Sequence, residues 1–145
     1  MTNNQELNSA YEKAIKLLSI RMHTSFELTN KLKLRGFAAD VITETLEKLK
    51  EERFLNDDSV AEAYVDSLIR YKTFGYYGIM AKLKQKGINF DLAEKIVSDK
   101  LSTEEEEKIA KKLMDKNKSS GLKAAESLKR KGFRSQVIAR VTKSS

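Results

Sequence analysis

The chain has 145 residues, a formal net charge of +7, no cysteine and no proline. Without cysteine there can be no disulfide and no thiolate metal site, which fits a reducing compartment. No apolar run approaches the ~18 residues of a membrane span. The opening MTNNQELNSAYEKA lacks the basic start and apolar core of a signal peptide, so a soluble cytoplasmic protein is expected.

Helix interiors tolerate proline worst, so its absence suits an all-α chain. In AYEKAIKLLSIRM, Ala14, Leu17, Leu18 and Arg21 follow helical spacing. Thr24 with Glu27 forms a T-x-x-E capping box. It opens a helix of about eleven residues, closed by KLKLRGF, Lys31 to Phe37. Gly36 suits the left-handed position past a helix cap, and the Schellman arrangement then pairs Phe37 with Leu32. Val41, Ile42, Thr45, Leu46 and Leu49 mark the next helix.

The pattern then repeats. Val60, Ala61, Tyr64, Val65 and Leu68 form a stripe, Gly75 starts a short helix, and KLKQKGI closes it at Gly87. NFDLAEKIVSDK follows. In the third copy, Ser102 with Glu105 reads as another capping box, Ser120 as an N-cap, and SLKRKGF as a stop at Gly132. Aligning the three glycines also aligns Leu32, Leu83 and Leu128, then Leu28, Ile79 and Ala124, then Phe37, Ile88 and Phe133, then Val41, Leu92 and Val137. The expected fold is all-α: a tandem array of three three-helix units, 1–55, 56–101 and 102–145, whose neighbours share apolar faces.

Most of the charge excess lies in residues 103–145, with twelve cations against six anions. Such a region suggests an acidic partner, nucleic acid first. Candidate contact residues recur at the helix ends: Lys31, Lys33 and Arg35; Lys82, Lys84 and Lys86; Lys123, Lys129, Arg130, Lys131 and Arg134. Equivalent positions in an array tend to line one surface, so a phosphate-tracking strip is possible. The competing reading is plain complementarity to the negative helix end. RYKTFGYY, Arg70 to Tyr77, adds Arg70, Lys72, Tyr76 and Tyr77. These could stack on bases or anchor a protein surface. Alternatively, Tyr71 and Phe74 complete the core face of the preceding helix, leaving Tyr76 and Tyr77 exposed in the connection.

No P-loop, dinucleotide fingerprint, nucleophile elbow or zinc motif occurs, so no catalytic, cofactor or metal residue is assigned and no enzyme is expected. His23, the only histidine, is expected at a helix end and half-exposed. The glutamates of TEEEEK fan around a helix start and do not converge on a metal.

The junction RFLNDDSVAEAYVDSLIR, Arg53 to Arg70, resembles the RecX family, modulators of the RecA recombinase. Phe54, Leu55, Asn56 and Asp57 occupy the family's turn, Ala61 and Ala63 the helix, and Tyr64 the aromatic place. Gly75, Ile79, Leu83, Lys86, Gly87 and Ile88 match its second pattern. Asn56 replaces an aspartate, and Gly78 stands where a basic residue is common. As an interior glycine, Gly78 should weaken its helix by about 1 kcal/mol relative to alanine. The resemblance implies an elongated, curved, monomeric array with roles in homologous recombination, DNA repair and the SOS response. It implies binding along the RecA–DNA filament groove and lowered recombinase and ATPase activity. The alternative is direct binding of single- or double-stranded DNA by units that resemble helix-turn-helix modules.

Overall fold

The computed structural model describes residues 3–143, and its regular elements are all α-helices. Nine helices lie among the described residues: α1 (Asn3–Ile20), α2 (Ser25–Leu34), α3 (Ala39–Glu51), α4 (Asp57–Tyr71), α5 (Tyr76–Gln85), α6 (Phe90–Lys100), α7 (Thr103–Asn117), α8 (Gly121–Arg130) and α9 (Ser135–Lys143). None is long and apolar enough to cross a membrane.

The start and stop signals at α2 act as the sequence indicates, and those of the third copy act in part. Thr24 caps α2 with a complete capping box. Its hydroxyl accepts the Glu27 N–H at 3.1 Å, and the Glu27 carboxylate accepts the Thr24 N–H at 3.0 Å. Ser102 makes the forward half of the predicted box, accepting the Glu105 N–H at 3.1 Å. Ser120 occupies the N-cap of α8 without a side-chain cap bond. At the other end of α2, Gly36 has φ +89°. The Phe37 N–H reaches Leu32 O at 3.3 Å and the Gly36 N–H reaches Lys33 O at 2.9 Å, the two bonds of a Schellman stop. Phe133 and Gly132 repeat both bonds after α8, to Leu128 O at 3.1 Å and Lys129 O at 3.0 Å.

The chain packs as two compact units. The first runs to Ala61 and includes Lys86–Ile88. Its core gathers Ala14, Leu28, Leu32, Ile42, Leu49 and Leu55, with Phe37 and Leu46 packed against them. The second holds Glu62–Gln85 and the chain from Asn89 onward. Its buried residues include Val65, Ile79, Leu83, Val97, Ile109, Leu113, Leu128, Phe133 and Val137. Of the positions that the glycine alignment pairs, Leu28, Ile79 and Ala124 are all buried, as are Leu32, Leu83 and Leu128, whereas Phe37 and Leu92 are half-buried.

Expectations for His23 and Tyr71 fail. His23 is 1% exposed, not half-exposed. Tyr71 does not finish the core face of α4: it is 75% exposed, because α4 ends there and Lys72 turns left-handed at φ +55°. Phe74 is half-buried.

Candidate functional site

Helix N-termini leave backbone N–H groups without intrahelical partners. In each compact unit a second chain segment supplies those partners to one of the short helices. At the head of α2, the Ser25 N–H donates to Asp57 Oδ1 at 2.7 Å, and the Thr24 hydroxyl donates to Lys86 O at 2.6 Å. Gly87 lies so close to Phe26 that a Cβ there would stand 2.1 Å from the Phe26 Cβ. Lys86 Nζ sits 3.2 Å from Glu27 Oε2, and Arg21 adds a 3.6 Å contact. Burial alone would raise the Glu27 pKa. The Thr24 N–H, the Lys86 ammonium and the Arg21 guanidinium outweigh it and hold the carboxyl below its ordinary value.

His23 adjoins this head. Lys31 Nζ lies 2.9 Å from Nε2, and an ammonium can only donate. Nε2 is therefore the acceptor, and Nδ1–H donates to Arg21 O at 3.0 Å. The ring is neutral. Burial holds its pKa below the ordinary 6.5, and the Arg21 and Lys31 charges add to that against the opposing effects of the Arg21 carbonyl and Glu27. The unfolded chain therefore binds a proton before the folded one does as pH falls. Stability should decline as pH drops below about 6.5 and level off below the folded pKa. Urea unfolding between pH 7.5 and 5 checks this, and His23→Gln should flatten that part of the profile.

The head of α5 repeats the scheme inside the second unit. The Gly75 N–H donates to Lys131 O at 3.1 Å, and the Tyr77 and Gly78 N–H groups donate to Gly132 O at 2.7 and 3.3 Å. The Tyr76 N–H donates to Glu106 Oε2 at 3.0 Å. Glu106 is fully buried and also accepts the Arg134 N–H at 2.9 Å and the Arg134 Nε–H at 2.5 Å. The Arg134 guanidinium reaches Leu101 O at 3.2 Å and lies 4.5 Å over the Tyr76 ring. Gly78 has a packing reason: a Cβ there would stand 2.3 Å from Lys131 O. Its expected cost to the helix is the condition for this close approach.

The predicted site residues therefore divide. Lys31 and Lys86 are occupied at the α2 head, by His23 and Glu27. Arg134 is locked at the α5 head, and Lys131 lends its carbonyl there. Lys82 lies 5.0 Å over the Phe74 ring. Tyr76 is half-buried and stands at the start of α5, not in a connection; its ring packs edge-on against Tyr77, 5.3 Å away. Tyr77 is 58% exposed, as expected. Tyr76, Tyr77, Met80, Phe90, Glu94, Arg134 and Gln136 line an open cleft of about 520 Å³ in the second unit. Lys33, Arg35, Arg70, Lys72, Lys84, Lys123, Lys129 and Arg130 face solvent. Glu106 was missed by the sequence reading, although it shares helical spacing with the buried Ile109, Ala110 and Leu113. Among the described residues no group of three or more histidines and carboxylates could hold a metal.

Residues 10–49 match the first three-helix domain of RecX, and residues 56–96 match the second. Together these matches span more than half of the chain. The chain belongs to the RecX family. Its similarity extends to "Regulatory protein RecX" of Bacillus pumilus, 34% identical over 140 residues that cover 91% of this chain and 53% of that protein. "Regulatory protein RecX" of Chlorobium phaeobacteroides is 39% identical over 90 residues, covering 62% of this chain and 60% of its own. The chain thus spans little more than half the length of these curated relatives. A crystal structure of RecX from Lactobacillus salivarius matches with a TM-score of 0.82 at 28% identity, over 97% of both chains. The two RecX domain matches contain both capped helix heads, at Thr24 and at Gly75. In this RecX chain, the Lys131–Gly132 stretch that follows α8 also accepts the N–H groups at the head of α5, while Lys86, which follows α5, accepts the Thr24 hydroxyl at the head of α2.

Proposed function

We propose that the protein is a non-enzymatic, cytoplasmic regulator of the RecA recombinase. It docks as a monomer along the groove of the RecA–DNA filament, touches neighbouring RecA subunits, and lowers recombinase and ATPase activity. Its three-helix units, 1–55, 56–101 and 102–145, present successive basic corners to the filament. The observation that carries this reading is the match of two consecutive domains to RecX. The exposed cations Lys33, Arg35, Lys84, Lys129 and Arg130 are the proposed contacts. Lys31, Lys86 and Arg134 serve first to build the surface, since His23, Glu27 and Glu106 respectively occupy their side chains.

A second reading is direct DNA binding. It is favoured by the cation excess of residues 103–145 and by the exposure of Lys123, Lys129 and Arg130. Binding to RecA–DNA filaments and to bare DNA, compared across a salt series, separates the two. The first reading predicts retention on filaments under salt that abolishes binding to bare DNA. Equal affinity for both, with the same steep salt slope, would favour the second.

A further inference from the structure

The exposed side of α7 carries a cluster of cations that faces Lys72. Lys72 follows α4 in a left-handed conformation, φ +55°, which L side chains seldom adopt. Lys72 and Lys112 line the same small hollow beside α7. Lys72, Glu105, Lys108, Ile109, Lys111 and Lys112 line a hollow of about 240 Å³. All four lysines are exposed, and among the described residues none of them makes an ion pair. One carboxylate, Glu105, faces four cations. The neighbouring Lys72 ammonium holds the Lys112 pKa below its ordinary value, burial adds a little, and Glu105 only partly opposes this. Like charges brought this close favour a multivalent anion that could bridge them.

We propose that Lys72, Lys108, Lys111 and Lys112 form a subsite for a phosphate group. Several chemical features favour phosphate over a carboxylate. Each ammonium offers three donors and no acceptor, and a phosphate offers more acceptor oxygens and more charge than a carboxylate, so it can bridge more than two lysines. The hollow is smaller than the ~300 Å³ at which small-molecule clefts begin, so it suits an oxyanion and not a whole nucleotide. The phosphate could belong to a free polyphosphate or to a nucleic-acid backbone. Tyr71, 75% exposed and adjacent to Lys72, could stack a base beside the held phosphate in the second case. The subsite does not depend on the RecA reading, because it involves this chain and phosphate alone.

The test uses the full chain with two probes, tripolyphosphate and a single-stranded oligothymidylate of about 20 nucleotides. The Lys72→Gln/Lys112→Gln double variant is compared with Lys116→Gln, an exposed lysine of α7 outside the hollow. Tripolyphosphate binding should weaken at least about tenfold in the double variant and change less than about twofold in Lys116→Gln. Binding of tripolyphosphate should also raise the Lys112 pKa, followed by nuclear magnetic resonance of its Nζ. A parallel loss of oligothymidylate affinity, with a shallower salt slope, would identify a nucleic-acid backbone as the source. Unchanged oligothymidylate binding would identify a free phosphate compound. The proposal is overturned if the wild-type chain does not bind tripolyphosphate, or if the double variant and Lys116→Gln lose affinity equally.

Discussion

Glu106→Ala should destabilise the protein by about 3–5 kcal/mol, lowering the unfolding midpoint by roughly 10 °C. Glu106 has 0% exposure and holds three donors: the Tyr76 N–H, the Arg134 N–H and the Arg134 guanidinium. Its removal leaves two amides without their acceptor and strands the guanidinium in a half-buried place. Glu106→Gln keeps an acceptor oxygen but loses the charge, so it should cost less, about 1–3 kcal/mol. Arg134→Ala should approach the alanine value at Glu106, because it leaves a buried carboxylate without its cation. Urea denaturation of the three variants gives the order. Glu106→Ala within about 1 kcal/mol of wild type would mean that the carboxylate does not hold α7, α5 and α9 together as described.

Gly78→Ala should destabilise by about 2–4 kcal/mol, opposite in sign to the ordinary rule for a helix. Alanine normally gains about 1 kcal/mol over glycine inside a helix. At Gly78 the added methyl would meet Lys131 O at 2.3 Å and the Phe74 Cβ at 3.0 Å. Relief requires the two backbones to separate, which breaks the N–H bonds of Tyr77 and Gly78 to Gly132 O. Gly36→Ala is the matched control. It has φ +89° but nothing within 4 Å of the added Cβ, so only the left-handed strain of about 1–2 kcal/mol applies. Chemical denaturation of both variants decides the matter. A Gly78→Ala variant more stable than wild type would remove the close approach from the account.

The recurring glycine phrase made the helix ends legible because its chemistry is local. A left-handed residue, a leucine four positions earlier and an apolar residue just after suffice to specify the stop, and Gly36 and Gly132 obey it. The partners of the helix heads were harder to read. Asp57 caps Ser25 from 32 positions away, and Glu106 caps Tyr76 from 30. The glutamates at 104–107 fan around a helix start, and only packing selects the one that turns inward. One clue was present: Glu106 stands on the apolar stripe with Ile109, Ala110 and Leu113. A carboxylate on such a stripe needs a partner. His23 gave no comparable signal, since its burial depends on Lys31 and on a turn beyond the end of α1. The cations of the repeated phrase look alike in the sequence, but Lys86 and Arg134 hold acids while Lys33 and Arg130 face solvent. The sequence could not make that division, because the neutralising carboxylates Glu27 and Glu106 lie in other helices.

The central claim is that a chain built from these capped helices regulates RecA. The most direct measurement is RecA ATP hydrolysis on single-stranded DNA as the folded protein is titrated in. The rate should fall with added protein and reach a low plateau, and Lys129→Glu/Arg130→Glu should shift that titration to higher protein concentrations. An unchanged rate at saturating protein, with the filaments intact, would contradict the account.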